Sequence, residues 1–311
     1  MPGGAERILK RRITSVSNTK KITRAMELIA ATRVARAQQR ARSARPYSEM
    51  LTGVIENLAA SGVDVDHPLL RQVENPERVA FVVIAGDRGL AGAYNSSVVR
   101  MAEREIQALR ADGGDYRIIS VGRKVDGYFK FRGYNVDTEF GGFSDNPTYE
   151  NARDIARRVR ELFDGGEVDQ VELVYTEFVS IGTQKATVRR FLPLEPTEAI
   201  AAAGGGDAGA LAGYEFEPSA EGVLEDLLPR YVEARLFTAL LDAAASEHAN
   251  RQRAMKAATD NAEELIIKLS RAMNRARQDA ITTEIMEIVS GAEALGDDDD
   301  SVPLDVLLTQ A

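Results

Sequence analysis

The sequence contains no cysteine and only two histidines, His67 and His248. The lack of cysteine excludes disulfides, thiolate metal sites, cysteine nucleophiles and thiol-based redox switching. The two imidazoles lie far apart in the sequence, so no histidine cluster is available to hold a metal. We therefore expect no metal site in this chain.

Long hydrophobic stretches are also missing. The longest apolar run, Val79 to Ala85, is far shorter than the ~20 residues that a membrane-spanning helix needs. No charged segment followed by an apolar one opens the chain, so no signal peptide is indicated. These features predict a cytoplasmic protein.

Acidic residues are scarce at the start of the chain, although the formal net charge is −9. Residues 1–45 hold twelve Lys or Arg and two acids, Glu6 and Glu27, a local balance of +10; the rest of the chain therefore carries −19. Such a distribution is typical of a segment that meets an acidic partner. Charge alone does not distinguish nucleic acid, anionic lipid and an acidic protein surface.

Glycine and proline are absent from two long segments. Between Gly4 and Pro46 lie 41 residues without either, and between Pro229 and Gly291 lie 61. Since these residues normally punctuate helices, the pattern predicts one helix of roughly 60 Å and another of roughly 90 Å. Both are longer than a helix in a compact domain.

The two helices are predicted to cover each other as a long antiparallel coiled coil, because apolar residues recur along each at steps of three and four. The second helix then changes phase and ends in an apolar end segment that is expected to slide inside a partner. The predicted seam is Met255, Ala258, Ala262, Leu265, Leu269, Ala272 and Ala276, facing Ile8, Ile13, Val16, Ile22, Met26 and Ile29. The apolar residues of the end segment are Ile281, Ile285, Ile288, Ala292 and Leu295.

Between the helices, β-rich runs alternate with helical ones. This alternation predicts a central Rossmann-like α/β domain with a mainly parallel sheet. The expected strands are 79–85, 117–121, 135–140, 170–179 and 185–194, and the expected helices are 96–110, 125–131 and 148–163.

One turn in this region, Gly86 to Gly92, is the place where a nucleotide would bind, because glycines after a first strand can hold a phosphate at a helix N-terminus. It lacks both the GxGxxG spacing and the GK[ST] ending. We interpret it as an ordinary tight turn, with Asp87 and Arg88 as turn and interface residues. A nucleotide-binding Rossmann-like enzyme remains an alternative.

Neither histidine is expected to do chemistry. His248 follows Glu247 on the second helix, and consecutive helical residues do not face each other. We expect His248 to be a solvated or interface residue, and His67 to lie in a polar connector.

The basic first helix leaves a second alternative, a nucleic-acid-binding coiled coil. Its charges spread around the cylinder, and no aromatic residue for base stacking precedes Tyr47. An acidic protein sleeve accounts better for the excess of positive charge.

Four segments resemble the gamma subunits of bacterial F-type ATP synthases. They are KKITRAMELIAATRV (20–34), GDRGLAGAYN (86–95), ASEHANRQRAMKAATDNAEELI (245–266) and RQDAITTEIMEIVSGAEAL (277–295). The resemblance extends from Glu6 to Leu295. It implies a non-catalytic central shaft, without cofactor, that turns inside a hexamer of alpha and beta subunits and couples rotation of a membrane c ring to nucleotide affinity in the beta subunits.

The resemblance also implies a division of the chain and a location. It gives an N-terminal coiled-coil helix (1–60), the α/β domain (75–200), a flexible loop and foot segment (201–220), the C-terminal helix (221–295) and an acidic tail (296–311) that we expect to be disordered and dispensable. The implied location is peripheral, on the cytoplasmic face of the bacterial membrane, with membrane contact only through the complex and no nucleic acid bound.

The resemblance assigns contact residues on matching positions. Those implied to meet a beta subunit are Arg277, Gln278, Thr282, Arg251, Met26, Lys20, Lys21 and Arg24. Those implied to meet the c ring and the epsilon subunit at the foot are Tyr214, Phe216 and Glu217.

Overall fold

The computed structural model describes residues 4–60, 67–71, 73, 75–194 and 219–296. The chain forms two compact units, one containing residues 1–25 and 256–311, the other containing Met26–Met255. The described elements are α1 (Gly4–Ala60), a 3₁₀ turn (Pro68–Leu70), β1 (Arg78–Ile84), α2 (Tyr94–Ala111), β2 (Asp115–Val121), α3 (Arg123–Phe131), β3 (Val136–Phe140), α4 (Tyr149–Asp164), β4 (Gln170–Phe178), β5 (Gln184–Leu192) and α5 (Ala220–Gly296).

The two long helices exist, but both continue beyond the ends that the glycine and proline pattern predicted. Helix α1 has 57 residues and continues through Pro46, and α5 has 77 residues and continues through Pro229 and Gly291. A proline inside a helix removes one hydrogen bond and crowds the preceding turn. At Pro229 packing compensates, since Leu228 and Val232 on either side are buried in the core of the central unit.

In the terminal unit, α1 and α5 pair in opposite directions. The Thr259 hydroxyl donates to Thr23 Oγ1 at 2.8 Å, and Lys20 Nζ lies 3.2 Å from Glu263 Oε1. Because the α5 partner moves from Glu263 back to Thr259 as α1 advances, the helices are antiparallel, which confirms the predicted pairing of the two ends of the chain.

The seam of this pair differs from the predicted one. Ile8 and Ile22 of α1 are 60% and 61% exposed, and Leu265 of α5 is 44% exposed. Ala262 of the predicted seam is buried, but the other two buried positions among the described residues of this unit are polar, Thr23 and Thr259. The prediction placed the largest apolar side chains at the seam. In the structure, the inward positions at steps of three and four residues include Thr23 and Lys20. In the central unit Ile29 is likewise 53% exposed.

The central unit contains a five-stranded sheet in the order β3-β2-β1-β4-β5. All neighbouring strands are parallel except β4 and β5, so the mainly parallel sheet is confirmed. Every predicted strand and helix between β1 and β5 lies within two residues of the observed bounds. The proposed division at residues 60, 75, 200, 220 and 295 stays a prediction, and most of 201–220 and 296–311 lies outside the described residues.

Strand β1 is apolar almost throughout because both faces of the sheet are covered. Its residues Val79, Phe81 and Val83 pack against α2 and α3, whereas Ala80, Val82 and Ile84 pack against α4 and α5. Helix α5 is therefore part of the domain core as well as part of the helix pair.

Two buried polar side chains anchor α5 to this domain. Ser246 Oγ donates to the Thr176 carbonyl at 3.1 Å, and His248 Nε2 lies 3.1 Å from the Asp145 carbonyl. His248 is only 1% exposed. Of the two expected alternatives, a solvated or an interface residue, the solvated one was therefore wrong, since a histidine that finds a carbonyl partner can be buried in its neutral form.

Gly122 lies at a crowded position between β2 and α3. Its φ is 106°, and an added Cβ would lie 2.2 Å from the Ala85 carbonyl oxygen. Gly133 also has a positive φ, 76°, but nothing lies within 4 Å of its Cβ position. We expect Gly133→Ala to lower the free energy of unfolding by about 1 kcal/mol and Gly122→Ala by on the order of 3 kcal/mol more. Urea unfolding checks this, and equal losses would contradict the steric argument.

Acid should weaken the anchor at His248. Burial lowers the pKa of His248 from its ordinary value of 6.5, with Asp145, Arg251 and Arg33 as the charged neighbours. Because the folded protein favours neutral His248, the contribution of this residue to stability is fully present above pH 6.5, its ordinary pKa. That contribution is lost as the pH falls towards the lowered pKa of the folded state. Between about pH 7.5 and about pH 5.5, the urea midpoint of the wild type should fall further than that of His248→Gln. Parallel pH dependence in the two proteins would contradict this.

Candidate functional site

The residues implied to meet a beta subunit fall in both units. Lys20, Lys21, Arg24, Arg277, Gln278 and Thr282 belong to the terminal unit, and Met26 and Arg251 belong to the central unit. Tyr214, Phe216 and Glu217 lie outside the described residues. The two groups are therefore two candidate surfaces, and we describe each by itself.

The end of α5 is an uncovered helix. Arg277, Gln278 and Thr282 are exposed, and every position from Ile281 to Ala294 is exposed as well. This part of α5 carries apolar side chains that are between 49% and 71% exposed, namely Ile281, Ile285, Met286, Ile288 and Val289. An apolar surface of this kind marks a site of protein contact. We call residues 277–294 the tip.

The basic face of α1 is partly satisfied within its own unit. Lys20 is half-buried and pairs with Glu263, whereas Lys21 and Arg24 are exposed. Because an exposed ion pair contributes little to stability, the Lys20–Glu263 pair can be exchanged for a pair with a partner carboxylate. The basic face is therefore compatible with an acidic partner surface.

The candidate surface of the central unit is a groove of 280 Å³. Apolar side chains from α1 and the turn after β1 line it together with three arginines, Arg33, Arg88 and Arg251. The remaining lining residues are Met26, Ile29, Ala30, Gly89 and Leu90. Leu90 has a left-handed backbone, with φ of 62°, and its side chain is 63% exposed. Strained backbone of this kind is concentrated at functional sites.

Arg251 is held from three directions. Its Nη2 donates to Glu247 Oε1 at 2.5 Å and to the Gly89 carbonyl at 3.3 Å. Its Nη1 lies 3.4 Å from His248 Nδ1. An arginine can only donate, so Nδ1 accepts, and the proton of neutral His248 is on Nε2, which donates to Asp145. The guanidinium is thus fixed at one end of the groove.

Glu247 is the buried member of this cluster. It is 1% exposed, and burial raises the pKa of its carboxyl group while Arg251 opposes the rise. An added Cβ on Gly86 would lie 3.0 Å from the Glu247 carboxyl carbon. Glycine at position 86 therefore leaves room for the carboxylate. No role for Glu247 was predicted, although its i,i+4 spacing from Arg251 on a helix indicates that the two side chains can pair.

The carboxyl ends of parallel strands are where open α/β sheets bind ligands, but here protein carboxylates occupy them. Asp87 accepts from the backbone N–H groups of Arg123, Gly142 and Ser144 at 3.1, 2.9 and 3.0 Å. Burial alone would raise the pKa of Asp87, but these bonds outweigh it and lower the pKa. The amide at the start of α3 that would bind a phosphate is thus already used.

The Glu247 carboxylate fills the neighbouring position beside Gly86. Both observations favour a packed turn over a nucleotide site.

Within the described ranges, no helix combines the length and the low charge needed to cross a membrane.

Comparisons with known proteins agree with this architecture. A family model described as ATP synthase matches residues 6–295. The chain is 52% identical over 296 residues to the ATP synthase gamma chain of Frankia casuarinae, covering 94% of this chain and 98% of the relative. It is 50% identical over 297 residues to that of Kineococcus radiotolerans, covering 94% and 97%.

Solved structures show the same fold at lower identity. A chain from the Euglena gracilis mitochondrial ATP synthase matches with a TM-score of 0.66 and 18% identity, covering 98% of both chains. A chain from the central stalk and c-ring structure of Tetrahymena thermophila mitochondrial ATP synthase matches with a TM-score of 0.58 and 23% identity, covering 76% of this chain and 99% of that one. From the family match and the close relatives, the chain belongs to the ATP synthase gamma chain family.

Proposed function

We propose that the chain is the rotating central-stalk subunit of a proton-translocating F-type ATP synthase, without catalytic residues of its own. In this role it couples rotation of the c ring to changes of nucleotide affinity in the catalytic beta subunits. The observation that carries the proposal is the tip, an uncovered helix whose isoleucines, methionine and valine are exposed. Such a surface needs a surrounding partner, which a ring of alpha and beta subunits would supply.

The tip has the chemistry for contacts that form and break repeatedly. Arg277 and Gln278 are adjacent exposed donors, and Thr282 follows one turn after Gln278 on the same helix. An arginine binds a carboxylate through two parallel hydrogen bonds, and such bonds at an exposed site exchange readily with water. We propose that these three residues hold a loop of one beta subunit at each rotational step.

The second proposed contact is the groove with Met26 and Arg251, which would meet an acidic segment of a beta subunit. The exposed Lys21 and Arg24, together with Lys20, would meet the same kind of surface. At the foot, Tyr214, Phe216 and Glu217 would meet the c ring and the epsilon subunit. With these contacts the protein would lie at the cytoplasmic face of the membrane and would meet the membrane only through the complex.

The two alternative functions lack comparable support. For a nucleotide-binding enzyme, Asp87 and Glu247 already occupy the anion positions at the end of the sheet. For a nucleic-acid-binding protein, the exposed apolar tip would have no role. Co-purification of the tagged chain with alpha and beta subunits as an active ATPase tests the proposed function. Recovery of the chain alone, bound to nucleotide or DNA, would contradict it.

Removing the donors at the tip should slow the motor. We expect Arg277→Ala and Gln278→Leu each to lower the ATP hydrolysis rate of the assembled complex by about tenfold, because each removes a hydrogen bond of about 1.4 kcal/mol to the beta subunit. Both side chains are exposed, so the urea midpoint of the chain itself should not change.

Lys268→Ala is the matched control, because it removes another exposed cation of α5, about 14 Å below Arg277 along the helix. Its hydrolysis rate should equal that of the wild type. Normal turnover in both tip variants, or an equal loss in the control, would count against the assignment of the tip donors.

A further inference from the structure

The ion pair between Glu247 and Arg251 has a feature that stability does not explain. Glu247 is completely buried, and its partner Arg251 keeps 11% of its side chain exposed in the groove. A buried ion pair is often no more stabilising than apolar residues of similar volume, because the desolvation cost offsets the attraction. Stability alone therefore does not account for this pair, and its geometry is compatible with a second role.

The geometry leaves Arg251 with one orientation. Glu247 and the Gly89 carbonyl use both N–H groups of Nη2, and His248 uses one of Nη1. An arginine has five N–H groups, so two are not engaged by these contacts. They belong to Nε and Nη1, on a guanidinium that lines the groove with Met26 and Leu90.

We propose that Glu247 is a positioning residue, whose buried carboxylate holds Arg251 in the orientation that meets the beta subunit and, through the bond from Arg251 to Gly89, holds the turn that carries Arg88 and Leu90. This inference rests on the proposed contact of Arg251 with an acidic segment. When that segment leaves at the end of a step, Glu247 keeps the guanidinium in place instead of letting it turn into solvent. The next acidic segment then meets a preorganised donor, and less entropy is lost on binding.

The environment of Glu247 fits a positioning role. Gly86 leaves the space that its carboxyl group occupies, and the Gly86 N–H is bound by Asn95 Oδ1 at 2.8 Å. Asn95 in turn donates to the Arg88 carbonyl at 3.1 Å. The Glu247 carboxyl group therefore packs against Gly86, and Asn95 holds Gly86 and Arg88 of the same turn. A shift of the carboxylate would change the position of this turn.

The test measures coupling in the complete membrane-bound complex, with the variant as the only copy of the chain. Glu247→Gln keeps the shape of the side chain but replaces the ion pair with a weaker hydrogen bond from the charged Arg251 guanidinium to a neutral amide oxygen. We expect the number of protons pumped per ATP hydrolysed to fall by about fivefold, which is the change in an equilibrium constant that corresponds to weakening the bond between Arg251 and residue 247 in this way. The double variant Glu247→Gln with Arg251→Ala should pump no worse than Arg251→Ala alone, because Glu247 acts through Arg251.

Glu103→Gln is the matched control. Glu103 is also a mostly buried acid of the central unit, paired with Arg132 at 3.0 Å and bonded by Tyr128 at 2.7 Å. It should lose thermal stability as Glu247→Gln does, but its ratio of protons to ATP should stay that of the wild type. A merely structural role for Glu247 would give both variants the same coupling.

Gly86→Ala provides a second measurement that keeps the charge of Glu247. The added methyl group would lie 3.0 Å from the Glu247 carboxyl carbon and 3.1 Å from Asn95 Oδ1, so it shifts the carboxylate by a few tenths of an ångström, and coupling should fall here too, including in the case that Glu247→Gln does not assemble. Normal coupling in Glu247→Gln or Gly86→Ala, or losses that add in the double variant, would overturn the proposal. Normal coupling in Arg251→Ala would instead refute the beta contact of Arg251, which is a separate result.

Discussion

A helix much longer than a domain cannot bury its apolar side against that domain alone, and this constraint governs the molecule. Helix α1 spans 57 residues and α5 spans 77, about 85 and 115 Å. The two helices cover each other in the terminal unit, where Thr23 meets Thr259. Beyond the level of Gly4, where α1 begins, the described residues Ile281 to Ala294 of α5 are all exposed. The exposed apolar end of α5 therefore requires a partner protein, as a shaft inside a ring of subunits does.

The same constraint explains why a Rossmann-like sheet serves here without a nucleotide. Part of α5 must be buried, and it closes the carboxyl ends of β1 and β4, with Ser246 bonded to β4 and Glu247 beside Gly86. This is the place where related sheets bind ligands. In this chain α5 therefore packs over the carboxyl ends of the strands. The Asp87 and Glu247 carboxylates lie where related proteins bind phosphate groups.

The sequence predicted the order and the bounds of the strands well, because apolar runs such as Val79 to Ala85 are short, rich in β-branched side chains and followed by glycine, which together favour a buried strand over a helix. It failed where packing overrides local rules. Pro46 and Pro229 did not end their helices, and the large apolar side chains Ile22 and Leu265 turned out to be exposed. Their exposure follows from the pairing of threonines at the seam, which periodicity alone does not reveal.

The candidate site was only partly visible from the sequence. The resemblance pointed to Arg251, but only the folded chain brings Gly89, His248 and Glu247 around it. Residues 162 positions apart in the chain make the Arg251 to Gly89 contact, and no local pattern encodes such a pair. The burial of His248 was missed for the same reason, since its partner Asp145 lies on a distant loop.

The Asp87 carboxylate joins three loops, because it binds the amides of Arg123, Gly142 and Ser144 that follow β2 and β3, while its own backbone follows β1. The ends of β1, β2 and β3 are therefore joined through the hydrogen bonds of one carboxylate. A mechanical load on the exposed turn at Leu90 would spread across three strands instead of bending one loop. This property suits a transmission element, since a contact that does not bend passes a displacement on to its partner without first absorbing it as local deformation.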